Sequence, residues 1–136
     1  MDQITVSAIV DQVETVTDFV NERLRALGCS QRVKVQLDVA IDEIFSNIVQ
    51  YAYEAETGPA TVRFDVEGDP PCVVITFIDR GIPFDPLAEE RPDVSHLPMA
   101  KRPIGGLGLF MVKKTMDDIS YVHKDGQNML TLRKRI

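Results

Sequence analysis

The sequence has 136 residues, with 15 basic and 21 acidic side chains, a net charge of −6 and a hydrophobic fraction of 44%. These values suit one ordinary globular domain, and the acidic balance argues against direct binding of nucleic acid, which relies on a cationic surface. Two cysteines without metal-ligand spacing, no signal peptide and no apolar run of roughly 20 residues predict a cytoplasmic protein without a membrane partner.

The first part of the chain has the spacing of a short strand and two helices. Residues 4–6 can form an opening strand. Apolar residues recur every three or four positions over residues 10–27, which predicts an amphipathic helix, and Gly28 supplies its stop. Ser30 suits the N-cap of a second helix, which we expect to reach about residue 54.

The middle of the chain predicts two strands followed by a long irregular segment. Residues 61–67 alternate between apolar and polar side chains, whereas residues 72–78 are almost continuously apolar. These patterns predict a half-buried strand and then a central one. Five prolines interrupt residues 80–104, where no periodicity survives. Irregular segments longer than about 12–15 residues are often lids over binding sites, and a disordered insertion is the alternative.

The end of the chain predicts one more helix and a hairpin. Helical spacing resumes at Leu107, and two strands, residues 119–124 and 128–134, are joined by Asp125 and Gly126, a frequent hairpin turn. Because strands joined by short turns run antiparallel, we expect an antiparallel or mixed sheet with the helices on one face. The predicted fold is an α/β (α+β) two-layer sandwich in a single domain.

Glu43 and Asn47 are the first candidates for chemistry. They lie one turn apart in the second predicted helix, beside each other on one edge of an apolar stripe centred near Ile48. Such an edge suits groups that reach a ligand in a cleft. The amide oxygen of Asn47 is a suitable ligand for Mg²⁺, and Glu43 could take a proton from an attacking hydroxyl or water. The alternative is a solvated helix edge.

Asp79 follows the apolar strand, so its carboxylate emerges where the core of the sheet ends. There it could accept a hydrogen bond from the exocyclic amine of adenine, while Gly81 would let the backbone approach the ring closely. The alternative is a turn that merely ends the strand.

Three glycines stand at the start of the third predicted helix. Gly105, Gly106 and Gly108 leave backbone N–H groups bare, and the helix dipole favours an anion there. The spacing matches neither the dinucleotide motif nor the P-loop, and a flexible hinge is the alternative. Lys101 and Arg102, just before them, could reach terminal phosphates or could be ordinary solvated charges.

Taken together, residues 43–47, 79–85 and 105–110 resemble the N, G1 and G2 boxes of the GHKL ATPase superfamily, which includes gyrases and histidine kinases. Within it, the chain resembles the small anti-sigma-factor serine/threonine kinases of bacterial partner-switching systems. The resemblance implies a Bergerat-type ATP-binding fold, namely a histidine-kinase-like ATPase domain over residues 1–136 with an ATP lid at about 80–104. It also implies ATP or ADP and Mg²⁺ as cofactors.

The resemblance implies a role for each of the polar motif residues. It makes Glu43 the general base and Asn47 the Mg²⁺ ligand within the nucleotide site. Asp79 would contact adenine, with Gly81 beneath the ring. Thr131, on the last strand, would assist adenine through its hydroxyl, directly or through a water molecule.

The phosphates would lie against the glycine segment. The resemblance implies that Gly106 and Gly108 line them, with Gly105 and Leu109 among the nucleotide-binding residues. Bare backbone N–H groups at a helix start suit such a contact.

The implied function is that of an ATP-dependent protein serine/threonine kinase. It would phosphorylate a STAS-fold antagonist and sequester a sigma factor, which is held or released according to that phosphorylation. Family members often form dimers, so a homodimer is an open alternative. A second hypothesis is a nucleotide-gated binding module without catalysis, which would regulate a partner protein. Both hypotheses predict ATP binding, and they differ in whether a phosphorylated product forms.

Overall fold

The computed structural model of the chain describes residues 2–53, 57–87 and 106–136, apart from the side chains of residues 106–110. The regular elements are β1 (Asp2–Ser7), a 3-10 turn (Val10–Gln12), α1 (Val13–Leu27), α2 (Gln31–Tyr51), β2 (Pro59–Glu67), β3 (Cys72–Asp79), α3 (Gly106–Thr115), β4 (Asp118–Lys124) and β5 (Gln127–Arg135). Their order is the one that the apolar spacing predicts.

The five strands form one sheet in the order β1-β2-β3-β5-β4. Each neighbouring pair in the described residues is antiparallel, so the mixed alternative does not apply there. β3 lies at the centre, which confirms the central strand predicted from its apolar run. At its end, Asp79 lies between Ala60 of β2 and Asn128 of β5.

The helices cover one face of the sheet. Successive side chains of a strand point to opposite faces, and Val73, Ile75 and Phe77 of β3 are buried in the main apolar core. The helices contribute Val16, Leu24, Leu37, Phe45 and Val112 to the same core, and Met116 joins them just after α3. Val74 and Ile78 point to the other face and lie outside this core. The predicted two-layer α+β arrangement is therefore confirmed.

The first two helices meet at Gly28 and Ser30. Gly28 has a φ of 66°, the left-handed conformation that glycine adopts without strain, and it ends α1 as predicted. Ser30 caps α2, because its side-chain oxygen accepts a hydrogen bond from Val33 N at 3.2 Å. The first helix is shorter than predicted, since Val10–Gln12 form a 3-10 turn before it.

The second helix ends at Tyr51, before the predicted end near residue 54. The carbonyl oxygen of Ala52 accepts a hydrogen bond from Ile82 N at 2.8 Å. The helix therefore stops where the segment after β3 crosses it, a tertiary contact that the local pattern does not contain. Residues 54–56 lie outside the described residues.

The turn between β4 and β5 has the conformation that its sequence predicts. Asp125 and Gly126 have φ values of 55° and 74°. Two successive residues with positive φ are characteristic of the tight hairpin turn that matches the twist of antiparallel strands. The hairpin prediction is confirmed.

Two other predictions concern the lid and a membrane. Residues 80–87 of the predicted lid are described, whereas residues 88–104 lie outside the described residues, so the lid stays a prediction. Among the helices that the structure describes, none combines the length and the apolar character needed to cross a bilayer.

Replacing the N-cap of α2 tests how far this helix depends on its cap. Ser30→Ala removes the acceptor of Val33 N, so we expect the free energy of unfolding to fall by about 1 kcal/mol. Urea denaturation followed by far-ultraviolet circular dichroism measures the change. Thr15→Ala, at an exposed position of α1, is the control and should change stability by less than about 0.5 kcal/mol. Equal losses in the two variants would contradict the capping role.

Candidate functional site

A pocket lies between α2 and the sheet, where β3 ends. It encloses about 380 Å³ of space, part of it open to solvent. Its walls come from α2, β3, β4, β5 and the residues just after β3: Ile44, Asn47, Ile48, Ala52, Phe77, Asp79, Phe84, Pro86, Tyr121, Asn128 and Leu130. Most of these side chains are apolar and a few are polar, which is typical of sites for small molecules.

Asn47 lines this pocket, and Glu43 lies one turn before it in α2. The two residues are only 4% and 7% exposed, which excludes the solvated helix edge, and Asn47 faces the pocket as expected for the edge of the apolar stripe. α3 packs against α2, a tertiary contact that the helix's own periodicity does not show. Within the described part of the chain, Asn47 Nδ2 is buried without a hydrogen bond.

Asp79 is buried at the end of β3, with 6% of its surface exposed. Its Oδ1 accepts hydrogen bonds from Gly81 N at 2.9 Å and from Asn128 Nδ2 at 2.9 Å. The bond from Gly81 N closes a turn, so both interpretations apply: Asp79 takes part in a turn that ends the strand, and it also lines the pocket. Among the described residues both bonds end on Oδ1, which leaves Oδ2 to accept from a ligand.

The backbone of Gly81 packs closely against the end of α2. A Cβ at this position would lie 2.0 Å from Ala52 O and 2.6 Å from Ala52 Cα. The missing side chain lets the turn after β3 pack against the helix, where Ile82 N donates to Ala52 O. The predicted contact of Gly81 with an adenine ring stays a prediction.

Asn128 is a site residue that the sequence motifs did not single out. It is 6% exposed and lies opposite Asp79 in the β3–β5 pair. Its Nδ2 donates to Asp79 Oδ1 and, at 2.8 Å, to Ile82 O, while Tyr121 OH donates to its Oδ1. A signal was available, because Asn128 lies two residues from Leu130 and therefore on the buried face of the same strand.

Thr131 lies on the other face of the sheet. It is three residues after Asn128, and it pairs with Thr76 of β3, with the two hydroxyl oxygens 3.4 Å apart. The structure does not bring its side chain to the pocket, because strand alternation turns it away from Asp79. Asn128 occupies the place beside the carboxylate instead.

The end of α2 also holds the residues that follow β3. The rings of Tyr51 and Phe84 stack, with centroids 4.7 Å apart and planes inclined by 18°. Tyr53 OH accepts from Arg80 N at 3.0 Å and donates to Pro59 O at 2.6 Å. Burial raises the pKa of Tyr53 above its ordinary value of 10.0, so the hydroxyl keeps its proton for this bond at neutral pH.

The glycine segment lies at the start of α3. The helix begins at Gly106 and has Gly108 and Leu109 in its first turn, as the predicted phosphate site requires. The first N–H groups of a helix have no partner within it and favour an anion. Gly105 and the two basic residues before that segment lie outside the described residues, so the phosphate contacts stay predictions.

Comparison with known proteins identifies the family. The family model described as the histidine kinase-like ATPase domain matches residues 6–134. The chain belongs to this family. The match spans all the described elements of the pocket and confirms the resemblance predicted from the three motifs.

Two curated relatives of this ATPase domain are named serine-protein kinase RsbW. The chain is 32% identical over 117 residues to the protein of Bacillus cereus (strain ATCC 10987), and 31% identical over 117 residues to that of Bacillus mycoides (strain KBAB4). Each alignment covers 79% of the chain and 72% of the relative.

A solved structure has the same fold as this ATPase domain. The crystal structure of the RsbU and RsbW domains of Rv1364c from Mycobacterium tuberculosis aligns with a TM-score of 0.65 and 19% identity. The alignment covers 99% of the present chain and 32% of that chain, so the present chain spans about a third of its length. At this identity, the likeness supports the fold alone.

A histidine kinase-like ATPase domain is expected to bind a nucleotide with a divalent cation, and the pocket fits both. Its apolar walls suit the faces of a base, and Asp79 Oδ2 suits an amine donor. Among the described residues, no group of three or more His, Cys, Asp or Glu side chains could hold a metal ion. Mg²⁺ takes few protein ligands together with phosphate oxygens and water, so a pocket with a single amide such as that of Asn47 is compatible with it.

Gly81→Ala tests the packing of the turn on α2 in this ATPase domain. The new Cβ would stand 2.0 Å from a backbone oxygen, so we expect the free energy of unfolding to fall by about 3 kcal/mol. Gly28→Ala is the control, because its Cβ would meet nothing within 4 Å and only its positive φ costs about 1 kcal/mol. Urea denaturation compares the two variants. A loss for Gly81→Ala no larger than that of Gly28→Ala would contradict the steric role.

Proposed function

We propose that the chain is an ATP-dependent protein serine/threonine kinase of the anti-sigma-factor type. The observation that carries the proposal is the buried carboxylate of Asp79, with one oxygen left for a ligand in a mostly apolar pocket. Asn47, whose Nδ2 is buried without a hydrogen bond among the described residues, lines the same pocket. Membership of the ATPase family and the relatives named serine-protein kinases support this function.

Adenine would bind through its exocyclic amine and its two faces. The amine donates a hydrogen bond, and Asp79 Oδ2 is the acceptor that remains after Gly81 N and Asn128 Nδ2 have taken Oδ1. Ile48 and Leu130 offer apolar surface to the ring, which gains free energy by leaving water. Guanine has a carbonyl oxygen in place of the amine and would set one acceptor against another, so adenine is preferred.

Asn47 would hold Mg²⁺ through its amide oxygen, with the phosphates and water as the other ligands. The position of Asn47 on the wall of the pocket supports the assignment. When bound, the cation supplies positive charge that neutralises the phosphate oxygens.

Glu43 would act as the general base for the acceptor hydroxyl. The serine or threonine oxygen of the partner forms a bond to the γ-phosphorus, the bond to the bridging oxygen breaks, and ADP leaves. The hydroxyl proton passes to the Glu43 carboxylate. The spacing of one helical turn between Glu43 and Asn47 supports this role, because it keeps the base near the residue that would hold the cation.

The partners of this proposal are those implied by the resemblance to anti-sigma-factor kinases. We propose that the acceptor is a serine or threonine of a STAS-fold antagonist, and that the second partner is a sigma factor. The non-catalytic module remains the alternative. It would bind ATP in the same pocket and change its affinity for a partner without forming a phosphorylated product.

Phosphotransfer from γ-labelled ATP tests the kinase function. With Mg²⁺ and the STAS-fold protein encoded nearest this gene, the wild type is expected to label that protein. Glu43→Gln keeps the size of the side chain and loses its basicity, so the transfer rate should fall by about 10²–10⁴-fold. Asp42→Asn changes the neighbouring exposed carboxylate and should transfer at the wild-type rate.

Calorimetric titration with ATP accompanies this assay, so that a loss of transfer is distinguished from a loss of binding. Transfer at the full rate by Glu43→Gln would contradict its role as the base. A wild type that labels nothing, yet changes its affinity for the partner when ATP is added, would identify the non-catalytic module.

ATP titrations with and without Mg²⁺ test Asn47. We expect the wild type to bind ATP at least about tenfold more tightly with the cation, which corresponds to about 1.4 kcal/mol. Asn47→Ala removes the amide oxygen, so this gain should vanish. Gln50→Ala removes an exposed amide further along α2 and should keep the gain. A Mg²⁺ gain that survives in Asn47→Ala would exclude it as the cation ligand.

A further inference from the structure

The side chain of Asn128 has a partner at each of its hydrogen-bonding positions. Its Nδ2 donates to Asp79 Oδ1 at 2.9 Å and to Ile82 O at 2.8 Å. Its Oδ1 accepts from Tyr121 OH and, at 3.4 Å, from Phe84 N. An asparagine amide has two donors and two acceptor sites, so these four bonds occupy all of them.

These partners determine the orientation of the amide. If it were reversed, its oxygen would face the Asp79 carboxylate and the Ile82 carbonyl, and its NH₂ group would face Phe84 N–H. Acceptors would oppose acceptors and donors would oppose donors in a site where Asn128 is 6% exposed, which is costly. The amide therefore has one favourable orientation, in which no position is left for a ligand.

We infer that Asn128 is a positioning residue for adenine recognition, which acts on the base through Asp79 without touching it. The inference rests on the proposed function, because it requires an adenine nucleotide in the pocket. Together with Gly81 N, Asn128 Nδ2 holds Oδ1 of the carboxylate, so the other oxygen has a defined direction for the amine of the base. Without this donor the carboxylate can rotate, and the acceptor loses its direction.

The same amide holds residues that form a wall of the pocket. Ile82 O and Phe84 N, two residues apart, bond to its opposite ends. Phe84 then stacks on Tyr51 of α2 and lines the pocket. Asn128 therefore links the acceptor for the base with the wall beside it, and both contribute to selectivity for adenine.

Tyr121 orients Asn128 from the neighbouring strand. Its hydroxyl donates to Asn128 Oδ1 across the β4–β5 pair. Burial raises the pKa of Tyr121 above its ordinary value of 10.0, and the charges of Asp85 and Asp79 act in the same direction. The hydroxyl is therefore a donor at neutral pH. Its removal should weaken the restraint on the Asn128 amide without displacing the side chain.

Calorimetric titration with ATP and with purine riboside triphosphate, which lacks the 6-amino group, tests the inference. The wild type should prefer ATP by about 10–100-fold, the range for a hydrogen bond to a charged group. Asn128→Asp keeps the shape but turns an oxygen towards Asp79, and the preference should fall to within about threefold. Tyr121→Phe should lower the preference by about threefold. Ser120→Ala removes a hydroxyl on the opposite face of β4 and should leave the preference unchanged.

The ratio of the two affinities distinguishes positioning from simple loss of stability. A structural role would weaken both nucleotides equally, so an unchanged ratio in Asn128→Asp would overturn the inference while the proposed function stands. If Asn128→Asp does not fold, Tyr121→Phe provides the test, and an unchanged ratio of affinities in that variant would also overturn the inference. A wild type that binds both nucleotides equally would also overturn the inference. A wild type that binds neither would overturn the proposed function as well.

Discussion

The pocket depends on the antiparallel register that sets Asp79 of β3 opposite Asn128 of β5. A carboxylate that is buried among apolar walls is costly unless hydrogen bonds compensate it. The bonds from Asn128 Nδ2 and Gly81 N provide this compensation, and both engage the same oxygen. A slip of one residue would turn Asn128 to the opposite face and remove its bond to Asp79. The register of two strands thus determines where a ligand finds an acceptor.

A second constraint joins the two sides of the site. α2 carries Asn47 and Glu43, whereas β3 carries Asp79, and the turn at Gly81 packs directly on the backbone of Ala52 at the end of the helix. The missing side chain keeps the helix end and the strand end close together. In the proposed kinase, this contact sets the distance between Asp79, which would bind adenine, and Asn47 and Glu43, which would act at the phosphates.

Several parts of the fold and of the site can be predicted from patterns within a few residues. The helix and strand types, the stop at Gly28, the cap at Ser30 and the hairpin at Gly126 were predicted and agree with the structure. The motifs also directed attention to Asn47 and Asp79, which line one pocket. The family match over residues 6–134 agrees with the resemblance that these motifs predict.

The sequence by itself determined the elements, the alternation of the first predicted strand of the middle region and the motifs, because periodicity and turn chemistry are local properties of a chain. Only the tertiary structure decided which side chains meet. Asn128 lies 49 residues from Asp79, and the register of β3 and β5 sets it, and not Thr131, beside that carboxylate. α3 packs on α2, and Glu43 is buried at the edge of the apolar stripe, which the periodicity of the helix does not show. Such contacts depend on register and on packing between distant segments, which no local pattern specifies.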